Sequence, residues 1–301
     1  MPPLVTALIE VSPPSGIQLG PLTLGFYGLS YVVAIMVMLL VSRSEARRKG
    51  LDPALVTSAI VVVGIFALVG ARLYHVLGEW DRYAGDPLQV VLPPYSGLGL
   101  YGGIIGAAVG IWVFVRGKGI PLGRALDVVV PGTLLAQGIA RWGNFFNQEL
   151  YGPPTDVPWA ITIECANRLG PRFCPGDPRL AAGAEGLPFA TTGFHPLFLY
   201  ESVLTIAGGI IALVIARRFA DRLFDGDLAS FWMIWYGSVR LGLEIYREGW
   251  NWTIAGVPAA MLIGAALIVI GAGTAMWRHR PGRPANEPPS AGPPGSDRAA
   301  A

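Results

Sequence analysis

Charged residues are scarce in this chain. Only 14% of its 301 residues are Asp, Glu, Lys or Arg, whereas 52% are hydrophobic. Because soluble domains carry about 25% charged residues, the composition excludes an ordinary soluble protein and indicates one that is embedded in a bilayer. The net charge of +2 is too small to imply a nucleic-acid partner.

Several signatures of catalysis are missing as well. The three histidines, His75, His195 and His279, fall on different predicted elements, so no metal site is expected. The sequence contains neither a Gly-x-Ser-x-Gly nucleophile motif nor a phosphate-binding loop. The first twenty residues lack the basic start and the continuous apolar core of a cleavable signal peptide. The first membrane span is therefore expected to direct insertion itself.

The main positive feature of the sequence is a set of seven long apolar runs. Each is close to the roughly 20 residues that cross a hydrocarbon core about 30 Å thick. In a bilayer each should be a helix, because a lone strand would leave its backbone unpaired. We therefore predict an all-α integral membrane domain over residues 1–280, followed by a disordered tail at 281–301. The predicted spans are residues 22–41, 54–76, 98–115, 126–142, 196–216, 228–245 and 254–277.

The basic residues predict the orientation of these spans. Thirteen Lys and Arg residues lie in the loops after the first, third and fifth spans and in the stretch directly after the last span, against five on the other side. By the positive-inside rule the N-terminus is then outside and the C-terminus is cytoplasmic. The long loop 145–194 becomes an extracytoplasmic loop or cap between helices four and five. There a Cys165–Cys174 disulfide is permitted, although two free thiols would give the same pattern.

Polar groups gather near the predicted outer ends of the spans, which suggests one site facing the outer surface. Two of them, Arg141 and Arg240, are predicted at membrane depth, where an arginine costs roughly 2.5–3.5 kcal/mol. Because a guanidinium binds phosphate in bidentate fashion, the pair indicates a site for an anionic headgroup. A snorkelling Arg141 and a local ion pair between Arg240 and Glu244 at i+4 are the alternatives.

Two other classes of protein fit part of this pattern. One is an outward-facing lipid or solute transporter, and the other is a structural membrane protein. A transporter would need a polar path to the cytoplasmic face, but the inner halves of the spans carry little charge apart from Asp127, which is interpreted as structural. A structural protein would have no use for two arginines at membrane depth.

One run stands out among the outer polar stretches: Arg141-x-Gly143-Asn144-Phe145-Phe146-Asn147-x-Glu149-x-x-Gly152. It resembles the signature of the bacterial prolipoprotein diacylglyceryl transferase family. Further stretches are similar to the family's other motifs, in the same order, namely Tyr27-Gly28, Tyr101-Gly-Gly-x-x-Gly, His195-Pro-x-x-Leu-Tyr-Glu201, and Tyr236-Gly-x-x-Arg240 with Arg247-Glu248. The resemblance spans about residues 20–275.

The resemblance implies an enzyme of the bacterial cell membrane. Such an enzyme moves the diacylglyceryl group of phosphatidylglycerol onto the lipobox cysteine of a prolipoprotein, forming a thioether and releasing glycerol phosphate. It uses no metal or organic cofactor. Its partners are phosphatidylglycerol, the prolipoprotein signal peptide and membrane lipid, and we expect a monomer. Because the substrate supplies the nucleophile, no catalytic cysteine or serine is needed in this chain.

The resemblance also implies which residues act. The phospholipid-binding positions carry over to Tyr27, Arg141, Asn144, Gly152, Tyr236 and Arg240. We expect the two arginines to hold the phosphate while Asn144 and Tyr27 orient it. His195, whose alternative role is to cap a helix, or Glu201 would accept the thiol proton.

Two positions depart from the family pattern. Ala140 stands where the signature usually has Gly, which is a change between small residues. Tyr101 stands where the family often has a His that is a candidate base. A tyrosine with an ordinary pKa near 10 is a poor base at neutral pH. We therefore predict that Tyr101 takes part in the reaction by orienting the headgroup, and the identity of the base stays open.

Overall fold

The computed structural model describes residues 8–90, 97–247 and 253–281. Within these ranges the chain is mostly helical, with seven α-helices of 18 residues or more, one short α-helix and four short 3₁₀ helices. The helices are α1 Phe26–Arg48, α2 Ala54–Gly78, α3 Trp80–Tyr83, α4 Leu100–Lys118, α5 Leu122–Phe146, α6 Leu197–Arg218, α7 Asp227–Glu244 and α8 Ala259–Arg278. By length and composition α1, α2, α6 and α8 are able to cross a membrane.

Each of the seven predicted spans falls on one of the seven long helices, but several ends were wrong. The first span was predicted to begin at residue 22, where the chain instead forms a hairpin of β1 Gly16–Leu19 and β2 Leu22–Gly25. The last span was predicted from residue 254, where a second hairpin pairs β3 Thr253–Ile254 with β4 Val257–Pro258. Apolar composition continues through these hairpins, so hydropathy alone did not separate them from the helices. The chain is mostly helical, as predicted for an all-α membrane protein, and carries these two short hairpins in addition.

α5 is longer than predicted, and this matters for the site. It was predicted to end at residue 142, but it continues to Phe146. Gly143 and Asn144 are consequently helical rather than part of a turn. The remaining predicted tail, 282–301, lies outside the described residues, as does Glu248.

Glycine allows α2 and α4 to pack backbone against backbone. A Cβ at Gly106 would lie 2.1 Å from the Phe66 carbonyl oxygen, and one at Gly70 would lie 2.3 Å from the Gly102 carbonyl oxygen. Gly70, Gly102 and Gly106 are thus required for the close approach of these two helices. Between this pair of helices and the pair α1 and α5 lies an apolar cavity of about 350 Å³, which reaches α5 at residues 125–133.

α5 is the central helix, since it packs along α1 and α6 and also contacts α7. Its fully buried Leu134 lies in a core cluster with Ala212 of α6 and Leu228 of α7. Near the start of α5, the fully buried Asp127 accepts hydrogen bonds from the backbone N–H groups of Gly226 (2.9 Å) and Ala229 (3.1 Å) at the first turn of α7. Lys49 Nζ lies 3.2 Å from the same carboxylate. Asp127 therefore joins α5 to the N-terminus of α7, which agrees with a structural role.

The segment between α5 and α6 folds as a cap on the end of α5 that carries Arg141. Its core contains Phe194, Ile163 and Tyr151, packed with Phe198 of α6. The N-terminal segment joins it, because Ile9 pairs in parallel with Ile161. A Cys165–Cys174 disulfide closes one loop of the cap, which decides between the two alternatives left open by the sequence.

Two arginines hold the loop that the disulfide closes. Arg168 is fully buried and donates to the carbonyl oxygens of Ile163 (2.9 Å) and Leu187 (2.6 Å). Arg179 donates to Cys165 O (2.9 Å). Its guanidinium (2.7 Å) and its backbone N–H (2.9 Å) also donate to the Asp177 carboxylate, and these two hydrogen bonds lower the pKa of Asp177 to about 2. The cap is thus held by side chain to backbone hydrogen bonds in place of long helices.

Candidate active site

A buried glutamate joins the two arginines that were predicted to act together. Arg141 of α5 donates through Nη2 to Glu201 Oε1 at 2.5 Å. Arg240 of α7 places Nη1 3.9 Å from Glu201 Oε2. The Glu201 side chain on α6 is 2% exposed, so one carboxylate serves as counter-ion to both guanidinium groups. Three helices that are distant in sequence therefore meet at this point.

The second carboxylate of the cluster is Glu244, at the end of α7. Arg240 Nη2 donates to Glu244 Oε2 at 2.8 Å, so the predicted local ion pair is confirmed. Arg247 Nη1 lies 3.8 Å from the same oxygen. The other oxygen, Oε1, is buried and has no hydrogen-bond partner among the described residues. Because a guanidinium carries five N–H donors, these contacts leave donor capacity for a further anion.

Hydrogen bonds connect Arg141 to other polar residues of the signature run 141–152. Arg141 Nη1 donates to Asn144 Oδ1 at 3.4 Å, and Asn144 Nδ2 donates to Glu149 Oε1 at 3.1 Å. Asn147 Nδ2 donates to the same glutamate oxygen at 3.2 Å. The amide of Asn144 is thus held between a cation and an anion, and its orientation is fixed by both.

Two tyrosines predicted to bind the headgroup lie next to this cluster. Gly143 faces the ring of Tyr27, because a Cβ on the glycine would lie 3.1 Å from that ring. Tyr27 is close enough to Arg141 to interact with it electrostatically. Tyr236 of α7 stacks on Trp232 and interacts electrostatically with Glu201 and Arg141. The structure therefore brings Tyr27, Asn144 and Tyr236 together with the arginines.

Gly152 marks a point where the loop after α5 comes very close to its neighbours. Its N–H donates to the His195 carbonyl oxygen at 2.9 Å. A Cβ at this position would lie 2.9 Å from Tyr246 O and 3.1 Å from His195 Cβ. The geometry supports a role in bringing the cap, the start of α6 and the end of α7 together. Direct contact with a substrate stays a prediction.

Gln148 is a structural residue of the site whose role the sequence did not reveal. It is buried, and its backbone is in the left-handed region with φ 51°, which is uncommon for a residue other than glycine. Its side-chain Oε1 accepts a hydrogen bond from Glu164 N at 2.6 Å. Gln148 therefore ties the turn after α5 to the cap. The sequence offered only its spacing from Arg141 and Asn144 as a signal.

The contacts of His195 and Tyr101 in the structure are with residues outside the arginine cluster. His195 Nδ1 lies 3.0 Å from Tyr200 Oη, which also accepts a hydrogen bond from Trp159 Nε1 at 2.7 Å. Tyr200 and Glu201 are consecutive on α6 and so point in different directions. Tyr101 is at the first turn of α4, where its ring packs against Tyr74 at 6.0 Å between ring centroids. The catalytic roles of His195 and Tyr101 stay predictions.

Arg72 of α2 has a structural role away from the arginine cluster. It donates to the carbonyl oxygens of Gln89 (2.8 Å), Val90 (3.0 Å) and Gly97 (3.2 Å). It therefore organises the connection between α2 and α4. In the part of the chain that the structure describes, no group of three or more His, Cys, Asp or Glu side chains is arranged to hold a metal ion.

Comparison with known proteins gives a consistent result. Residues 14–277 match the family described as prolipoprotein diacylglyceryl transferase. A relative from Symbiobacterium thermophilum is 34% identical over 95% of this chain and 99% of its own length. One from Parasynechococcus marenigrum is 33% identical over 86% of this chain and 91% of its own. One from Frankia alni is 38% identical over 78% of this chain but spans only 58% of its own length. All three relatives carry the name phosphatidylglycerol–prolipoprotein diacylglyceryl transferase.

Proposed function

The chain belongs to the prolipoprotein diacylglyceryl transferase family, and from this premise we propose that it transfers the diacylglyceryl group of phosphatidylglycerol to the cysteine of a prolipoprotein. The reaction forms a bond between the cysteine sulfur and the terminal glyceryl carbon. The bond between that carbon and the phosphate oxygen breaks, and its electron pair leaves with glycerol phosphate. The observation that carries this proposal is the pair of arginines, Arg141 and Arg240, gathered around one buried glutamate.

We propose that this cluster binds the phosphate of the headgroup. Arg141 and Arg240 approach Glu201 from two helices, so an anion near that carboxylate can receive N–H donors from both guanidinium groups. As the carbon–oxygen bond breaks, negative charge grows on the phosphate. Fixed donors aimed at such a charge are each worth about 3–4 kcal/mol in a site that excludes water. Asn144 and Tyr27 would orient the phosphate, and Tyr236 would complete the wall of the site.

The nucleophile is then the thiol of the incoming peptide. A cysteine thiol has an ordinary pKa of about 8.5 and attacks as the thiolate. A nearby guanidinium favours the thiolate electrostatically. The same cluster can therefore help the nucleophile to form and the leaving group to depart.

The proposed placement in the membrane follows the charge distribution. All seven long helices would cross the bacterial plasma membrane, with the N-terminus and the cap outside and the C-terminus in the cytoplasm. The arginine cluster would then lie near the outer leaflet, on the side from which a secreted prolipoprotein approaches. Because α5, α6 and α7 of one chain supply the whole cluster, we propose that the protein acts as a monomer.

The transporter alternative has less support. The family match favours a transferase. The cavity on the Asp127 half of the bundle has an apolar lining, with residues such as Met38, Ile60 and Phe114, whereas a solute path would need polar groups there.

A reconstituted assay tests the proposal. Purified protein is mixed with phosphatidylglycerol and a peptide that contains a lipobox cysteine, and the peptide mass and released glycerol phosphate are followed together. We expect the peptide to gain one diacylglyceryl group for each glycerol phosphate released. A peptide with serine in place of the cysteine is the matched control and should stay unchanged. If folded protein leaves the cysteine peptide unmodified, the proposed activity is wrong.

A further inference from the structure

Glu244 has an unusual environment for a carboxylate. Its side chain is fully buried, and Oε2 faces the guanidinium groups of Arg240 at 2.8 Å and Arg247 at 3.8 Å. Oε1 is buried as well, yet no described residue donates a hydrogen bond to it. A buried acceptor without a donor costs about 1–3 kcal/mol, and more when charged, so such an oxygen calls for an explanation.

The other candidates for proton acceptance are already engaged. Glu201 faces Arg141 with one oxygen at 2.5 Å and Arg240 with the other at 3.9 Å. His195 lies within hydrogen-bond distance of Tyr200. Of the two carboxylates in the arginine cluster, Glu244 is the one with a fully buried oxygen that has no hydrogen-bond partner among the described residues. This oxygen therefore belongs to a carboxylate that is itself part of the arginine cluster.

We propose that Glu244 Oε1 accepts the proton of the substrate thiol, an inference that rests on the function proposed above. The sulfur–hydrogen bond breaks as its proton moves to Oε1. The sulfur electron pair forms the bond to the terminal glyceryl carbon, and the electron pair of the broken carbon–oxygen bond leaves on the phosphate. The proton then passes from Glu244 to water or to the departing phosphate, which restores the carboxylate. No oxidant or reductant is needed.

The arrangement of charges favours this sequence of steps. Arg240 forms ion pairs with both Glu201 and Glu244. Its guanidinium group therefore connects the proposed proton acceptor to the proposed phosphate site. When Glu244 gains a proton, the cluster becomes more positive by one charge. This happens as the leaving phosphate becomes more negative, so the proton transfer strengthens the hold on the leaving group. Charged and titratable groups face the cluster from every element packed around it. They are Tyr27 and Tyr31 from α1, Arg141 from α5, Glu149 from the turn after α5, Glu201 from α6, and Tyr236, Arg240 and Arg247 from α7 and the residues after it.

The test compares thiol and selenol peptides. A selenocysteine peptide ionises at lower pH than a cysteine peptide, so at neutral pH it needs no proton acceptor. For Glu244→Gln we expect at least about 100-fold slower transfer to the cysteine peptide, in line with the loss of a general base, and a much smaller loss with the selenocysteine peptide. The rate of the variant with the cysteine peptide should rise about tenfold per pH unit up to pH ~8.5, the thiol pKa, more steeply than that of the wild type.

Two further variants keep the test decisive. Glu45 is a matched control, because it is 1% exposed and is paired with Arg48 and Arg217 at the opposite end of the helices. Glu45→Gln should show the wild-type ratio of selenol to thiol rates. If Glu244→Gln does not fold, Glu244→Asp, which withdraws the carboxylate by one methylene, should raise that ratio.

The outcomes separate the two proposals. Equal losses with both peptides, or an unchanged pH profile in Glu244→Gln, would overturn the role of Glu244 while leaving the transferase activity of the wild type intact. If the wild type fails to modify either peptide, it is the proposed function itself that fails.

Discussion

At the scale of single residues, the site depends on the guanidinium fork rather than on positive charge alone. Arg141 donates to Glu201 and to Asn144 through different nitrogen atoms, and Arg240 approaches Glu201 and Glu244 in the same divided way. An ammonium group has one nitrogen and cannot span two partners at such separations. The sequence could predict that these arginines have an anionic partner, because an arginine at membrane depth needs one. The identity of that partner could not, because Glu201 lies sixty residues further along the chain.

A double-mutant cycle tests whether both arginines serve one phosphate. Arg141→Lys and Arg240→Lys should each reduce turnover by at least about tenfold, or ~1.4 kcal/mol in the activation free energy. Because both side chains act on the same charge, the double variant should lose less than the two single losses combined. Turnover is measured at equal levels of folded protein. Losses that simply add would mean that the two arginines act independently and would remove the shared phosphate from the proposal.

At the scale of elements, the number of long helices followed from the sequence, but their ends did not. Hydropathy measures composition over a window, so it located seven runs and extended two of them into hairpins. It also ended α5 at Trp142, because Asn144 and Asn147 looked like the start of a loop. The structure continues the helix to Phe146, and this extra turn presents Asn144 on the face of Arg141. The left-handed backbone at Gln148 and Leu150 had no signal in the sequence, since neither residue type favours it.

The contact between α5 and α7 gives a prediction about an element far from the site. Asp127→Ala removes the acceptor that caps α7 and leaves Lys49 without its partner, so we expect a loss of about 3 kcal/mol in the free energy of unfolding. Because α7 carries Arg240, turnover should fall as well. Asp127→Asn is the matched control, since it keeps an oxygen for the N–H groups of Gly226 and Ala229. It should retain part of the stability that alanine loses. Denaturant unfolding measures the stability of the two purified variants. Equal stability of Asp127→Ala and wild type would contradict the role of this contact.

At the scale of the whole molecule, the two ends of the helices are built differently. The end that holds Asp127 carries ion pairs that connect one helix to the next, such as Glu45 with Arg217 and Arg124 with Asp225. The end that holds Arg141 gathers its charges into one cluster beneath the cap, where a buried carboxylate oxygen has no hydrogen-bond partner among the described residues. Ion pairs of the first kind stabilise the bundle, whereas an under-occupied cluster is suited to a charged ligand. The motifs predicted that the Arg141 end is the functional one, but the counter-ions that join the helices could be identified only from the folded chain.

The orientation of these two ends can be tested by thiol labelling from each side of the membrane. Ser44 is exposed near the end of α1, and Ala182 is exposed in the cap. Ala182 is preferable to its neighbour Gly183, whose φ of +82° would strain a cysteine. A membrane-impermeant reagent should label Ser44→Cys only from the cytoplasm and Ala182→Cys only from outside. The wild type serves as the control, because Cys165 and Cys174 are joined and should not react until a reductant is added. Labelling of both variants from the same side would place the cap and the end of α1 in one compartment. That result would remove the outer-leaflet placement of the arginine cluster, since Arg141 lies directly beneath the cap.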